Sequence, residues 1–78
     1  MGNLPNRLNI KNRIHVLRAE KRITQQHLAE AIGVTRATII SIEGENYNPS
    51  LELAFRIAIY FEKQIQEIFY MEENHEVK

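Results

Sequence analysis

The chain contains no cysteine, which excludes a disulfide framework and any cysteine-ligated metal site. It has only three glycines and two prolines. None of the glycines builds a phosphate-cradling loop or a nucleophile elbow. Its three histidines, His15, His27 and His75, share no metal-ligand spacing with carboxylates, so neither a metal nor another cofactor is expected. No apolar run approaches the roughly 18 residues of a membrane span, and the N-terminus has no signal-peptide pattern. Met1-Gly2 fails the myristoylation pattern because position 6 is Asn6. Net charge is zero. With 78 residues the chain makes one domain, too small for a catalytic cleft between subdomains. An enzyme is not expected, and no pocket for a small-molecule effector is expected either.

The zero net charge hides a segregation. Residues 1–36 carry seven lysines and arginines against Glu20 and Glu30, while residues 37–78 carry three against eight glutamates. A basic half and an acidic half suit a molecule that turns one face to an anionic polymer and the other away from it.

The basic half runs into the most informative segment, residues 24–43. Thr24 is a helix cap, and Leu28, Ala29 and Ile32 follow at helical spacing. Gly33 suits the left-handed residue that ends a helix. Thr35 then caps a second helix, Arg36 to Glu43. Two short helices joined by a turn of about three residues are the pattern of a helix-turn-helix. Stepping about 100° per residue from Arg36 keeps Arg36, Ala37, Ile40 and Ser41 within about 140° and puts Ile39, Ile42 and Glu43 on the other side. An outward face of one arginine, two small residues and an isoleucine suits a major groove. Arginine binds guanine O6 and N7 in bidentate fashion, serine meets either base type, and Ala or Ile meets a thymine methyl. Ala29 is expected to stay small because the two helices cross closely there.

Further helices are expected at Asn12 to Lys21, with Ile14 and Leu17 inward, at Leu51 to Phe61 after the cap Ser50, and at Ile65 to Ile68. Residues 1–9 read as a flexible arm, residues 10–71 as the domain and residues 72–78 as a polar tail. On the Leu51–Phe61 helix, Leu51, Ala54, Ile57, Ala58 and Phe61 share the expected core face. Phe55 and Ile59 fall about 80° or more beyond its centre. Together with Ile65, Phe69, Tyr70 and Met71 they exceed what one small core needs, which points to a dimer interface.

The segments Ile23-Thr24-Gln25, Leu28-Ala29, Gly33-Val34-Thr35-Arg36, Thr38-Ile39, Ile42-Glu43, Tyr47-Asn48-Pro49-Ser50 and Glu67-Ile68-Phe69 resemble the Cro/repressor-like (XRE) helix-turn-helix family, and its small single-domain repressors in particular. The resemblance runs from about Ile10 to Phe69. It implies an all-α, five-helix domain, with a short antiparallel pairing of about Leu8 to Asn12 with Phe69 to Glu72. It also implies a cytoplasmic, bacterial homodimer on a double-stranded DNA operator, with its two reading helices about 34 Å apart on an inverted repeat. The positions matching the family's DNA contacts are Thr24 and Gln25, then Arg36, Ala37, Thr38, Ile40 and Ser41. Arg18 and Glu43 match a partly buried ion pair that ties the first helix to the end of the reading helix.

Two departures stand out. After Glu43 the family pattern has glycine then lysine one place later than Gly44-Glu45-Asn46, so phosphate contacts are expected to shift to Asn46, Tyr47, backbone amides and the basic arm. Glu45 is expected near phosphates, where its charge is unfavourable. Glu62-Lys63-Gln64 lacks the glycine and serine that usually close this junction, which is therefore expected to be loose. Two other readings remain open: an antitoxin-like DNA-binding subunit that mainly holds a protein partner, and a protein-interaction module that has lost DNA binding.

Overall fold

The computed structural model describes residues 4–71. The expected tail 72–78, the strand end at Glu72, His75 and Met1-Gly2 lie outside the described residues. The order of elements is β1 (Ile10–Asn12), α1 (Ile14–Lys21), α2 (Gln25–Ile32), α3 (Arg36–Glu43), α4 (Leu51–Phe61), α5 (Ile65–Ile68) and β2 (Phe69–Met71). Residues 4–9 carry no helix or strand. The two strands pair antiparallel, with Ile10 opposite Met71, Lys11 opposite Tyr70 and Asn12 opposite Phe69.

Hydroxyl caps start three of the helices. The side-chain oxygens of Thr24, Thr35 and Ser50 accept the backbone N–H groups of His27, Thr38 and Leu53 at 3.0, 3.3 and 3.1 Å. Each satisfies a donor that the first helical turn leaves without a partner. The ends of α1 to α4 share one wrap, in which the chain turns through a left-handed residue and donates back into the last turn. Gly33 does this after α2, with its own N–H and that of Val34 both 2.9 Å from the Ala29 carbonyl. Arg22, Glu45 and Glu62 do it at φ of 59°, 64° and 57° without the freedom of glycine, at a cost of about 1 kcal/mol each.

The α4–α5 junction is therefore closed, against expectation. Glu62 N–H bonds to Ile59 O at 3.1 Å and Lys63 N–H to Ala58 O at 3.0 Å. In place of a serine cap, Glu67 reaches back to accept the Gln64 N–H at 2.8 Å. The carboxylate three residues into the helix satisfies the N–H of the capping residue itself, the reciprocal half of a capping box.

The first helix starts at Ile14 and not at Asn12. Asn12 is the last residue of β1 and is buried. Its Oδ1 accepts the Ile14 N–H at 3.1 Å, and its Nδ2 donates to the Ile42 carbonyl at 2.9 Å. One side chain thus joins the sheet, the start of α1 and the end of α3.

The core gathers Ile14, Leu28, Ile39, Ile42, Ile57 and Ile68, all fully buried, with Ala29 equally enclosed. Burying each of the larger side chains contributes about 1.5–3 kcal/mol. Leu51 does not join them. It is 72% exposed, and Leu53 takes a core place instead. Leu51 opens α4 at the edge of the apolar stripe, and among the described residues no element covers its side chain.

Candidate nucleic-acid interface

The site is built around α3. Its inner face is sealed, with Ile39 and Ile42 buried to within 1%. On its outer face Arg36, Ala37 and Ile40 are exposed, Ile40 at 43%, while Thr38 and Ser41 are half-buried. α2 packs against α3 across the Gly33 turn, and Ala29 lies fully buried in α2.

Both ends of α3 are fixed. At the start, the Thr35 and Thr38 hydroxyls lie 3.1 Å apart, besides the backbone cap. At the end, Glu43 is held by three donors. Arg18 Nε lies 2.6 Å from Oε2, Arg18 Nη2 lies 3.1 Å from Oε1, and Gln25 Nε2 also donates to Oε1 at 3.1 Å. Arg18 Nη1 donates to the Ile23 carbonyl at 3.1 Å. The pair retains 19% and 10% side-chain exposure, so water screens it weakly. Its fork geometry binds α1, α2 and the last turn of α3 into one unit.

Gln25 is thus partly committed: one N–H of its amide serves Glu43. Thr24 is exposed, with its oxygen engaged in capping. Asn46 and Tyr47 are exposed in the loop after α3.

The tertiary structure redistributes the charge counted along the chain. Arg18 is matched by Glu43, and Lys11 pairs with Glu45 at 3.3 Å. Both carboxylates come from the acidic half. Lys21 lies over the Tyr60 ring, 5.7 Å from its centroid. Arg13, Arg22 and Arg36 are exposed and make no ion pair among the described residues. The basic face is therefore smaller than the sequence count implies.

Glu45 is held within its own chain. Beyond its pairing with Lys11, its carbonyl accepts Arg7 Nη2 at 3.2 Å, and Asn48 Nδ2 donates to the Leu8 carbonyl at 3.3 Å. The segment before β1 is stitched to the loop that follows α3.

Sequence reasoning missed Arg56. From α4 its Nη1 donates to the Ile32 carbonyl at 3.2 Å, while Nε and Nη2 bond to Glu52 Oε2 at 3.3 and 3.0 Å. It occupies an orphan carbonyl at the end of α2 and lies over Gly33, where an added Cβ would come within 3.4 Å of it. The partners are 24 positions apart, and no local pattern announces them.

Of the residues singled out for a partner surface, Phe55, Ile59, Tyr70 and Met71 are exposed. Ile65 and Phe69 are half-buried against the core of their own chain. Leu51 joins Phe55 and Ile59 in one exposed ridge at i, i+4 and i+8.

Residues 14–68 match the helix-turn-helix family (the XRE type) as a whole. The chain belongs to that family. Among its relatives is an uncharacterized HTH-type transcriptional regulator of Methanocaldococcus jannaschii, 46% identical over 83% of this chain and 98% of its own length. The immunity repressor protein of Bacillus phage phi105 is 35% identical over 65% of this chain and 35% of that protein. In structure, the restriction-modification controller protein C.AhdI from Aeromonas hydrophila superposes with a TM-score of 0.66 at 27% identity, covering 70% of this chain and 83% of that one. The helix-turn-helix family assignment makes the chain a DNA-binding transcriptional regulator by class. Its relatives are archaeal as well as bacterial, so the family does not restrict the source to bacteria. No helix among the described residues is long and apolar enough to cross a membrane.

Proposed function

We propose that this helix-turn-helix protein is a sequence-specific repressor that binds an inverted-repeat operator as a homodimer, reading bases with α3. The observation that carries this reading is the asymmetry of α3. It is clamped from behind by Ile39, Ile42 and the Arg18–Glu43 pair, and it is open in front at Arg36, Ala37 and Ile40. A rigid, exposed helix with arginine in its first turn is what direct readout requires. Thr24, Gln25, Asn46 and the exposed arginines flank that face and supply phosphate contacts, and Tyr47 stands beside them in the same loop as Asn46. The phage relative's role as an immunity repressor favours repression by occupancy.

The exposed ridge Leu51–Phe55–Ile59, with Tyr70 and Met71, is the surface for the second copy. Two-fold pairing would set the reading helices about one turn of B-DNA apart. The same exposed ridge also suits a different small protein, as an antitoxin-like subunit would hold.

Selection of bound sites from random DNA at fixed salt tests the reading. The expected outcome is one enriched inverted repeat bound by a dimer, with mass measured by light scattering. Arg36→Ala should lose about 1–3 kcal/mol of discrimination at one base pair per half-site with unchanged melting. No enriched sequence would leave a protein-interaction module. Enrichment by a monomer that dimerises only with another protein would favour the antitoxin-like reading.

A further inference from the structure

The open side of α3 is not uniformly convex. Ala37 and Ser41, one turn apart, and Thr38 beside them line a shallow hollow whose remaining wall is Tyr47 from the following loop. The hollow exists because of how α3 ends. Glu45 N–H donates to Ile42 O and Asn46 N–H to Ser41 O, each at 2.9 Å, with Glu45 left-handed at 64°. This wrap turns the chain back so that the half-exposed Tyr47 ring stands beside Ser41.

Among the described residues, no charged side chain lines the hollow. The Thr38 hydroxyl is engaged with Thr35 at 3.1 Å, which leaves Ser41 and the Tyr47 hydroxyl as the polar groups of the wall. Small side chains beside an aromatic ring make poor partners for the acceptor pair of guanine or the amino group of cytosine. They suit a compact apolar protrusion. Among the features that base pairs present in the major groove, the thymine 5-methyl group is the apolar one.

We infer that the hollow formed by Ala37, Thr38, Ser41 and Tyr47 receives a thymine 5-methyl group, with Tyr47 as a specificity-determining residue contributed from outside the reading helix. This rests on the DNA-reading function proposed above and adds to it a base identity and a residue that no helical-wheel argument supplies.

The test replaces each thymine of the selected operator, in turn, by deoxyuridine, which removes only the methyl group. Binding is followed by fluorescence anisotropy. One thymine per half-site should lose about four-fold in affinity, the scale of one methyl group withdrawn from an apolar contact. Tyr47→Ala should bind thymine and deoxyuridine operators equally at that position while still responding to a change at the base read by Arg36. Ala37→Val fills the hollow from the helix side, leaves the loop untouched and should abolish the same discrimination. It serves as the deciding variant if Tyr47→Ala does not fold. An operator with no deoxyuridine-sensitive thymine would overturn the inference, and so would a sensitivity unchanged in both variants. If no operator is selected at all, the failure belongs to the DNA-reading function and not to the hollow.

Discussion

Replacing Arg18 by methionine probes the joint that orients the reading helix. The substitution keeps most of the side-chain volume and removes three hydrogen bonds: two to Glu43, at 2.6 and 3.1 Å, and one to the Ile23 carbonyl. Glu43 then keeps only the Gln25 amide, with its side chain 10% exposed. Stripping one partner from a buried pair costs about 3–5 kcal/mol, chiefly because the other charge stays behind uncompensated. The remaining amide and the partial exposure of this pair reduce that to about 2–3 kcal/mol. For a domain of this size, at 4–8 °C per kcal/mol, the melting temperature should fall by about 10–20 °C. The double variant Arg18→Met/Glu43→Leu removes both charges, and its loss should shrink to about 1 kcal/mol. The coupling between the sites should be about 2 kcal/mol. Urea unfolding followed by far-UV circular dichroism measures the two single variants, Arg18→Met and Glu43→Leu, and the double variant. Additive losses, or a single-variant loss under about 0.5 kcal/mol, would mean that the pair acts as a solvated surface bridge and that the reasoning is wrong.

Two further outcomes follow from the same structure. Asn12→Ala removes the donor to the Ile42 carbonyl and the acceptor of the Ile14 N–H, and should cost about 2–3 kcal/mol in urea unfolding; a loss below about 1 kcal/mol would show that water replaces the side chain without penalty. Glu62→Gly relieves a left-handed residue at the end of α4 and should raise the melting temperature by about 4–8 °C, and a lowered melting temperature would show that the glutamate side chain stabilises the junction more than its backbone strains it.

Much of this domain is legible in the chain because its signals are local. Thr24, Thr35 and Ser50 each bind a backbone N–H three residues on, so the start of a helix is written within a four-residue window. Gly33 advertises the turn because glycine adopts the left-handed conformation without steric cost. Where another residue takes that conformation, as Glu62 does, the signal is silent. The expected loose junction was wrong for that reason. The inward set Ile39 and Ile42 and the outward set Arg36, Ala37 and Ile40 likewise follow from helical period alone.

What the chain determined unaided is therefore the helices and the faces they present, since those depend on neighbours within one or two turns. Tertiary packing alone decided that Leu51 faces solvent, that Asn12 ends a strand and not a turn of helix, and that Arg56 closes α2 from another element. It also decided that Glu45 meets Lys11 and that the Tyr47 ring comes to rest beside Ser41. These outcomes require segments to be brought together across the domain, as Asn12 and Ile42 are from 30 positions apart. The free energy that joins them comes from burying the shared isoleucine core, and no short window of sequence contains that core.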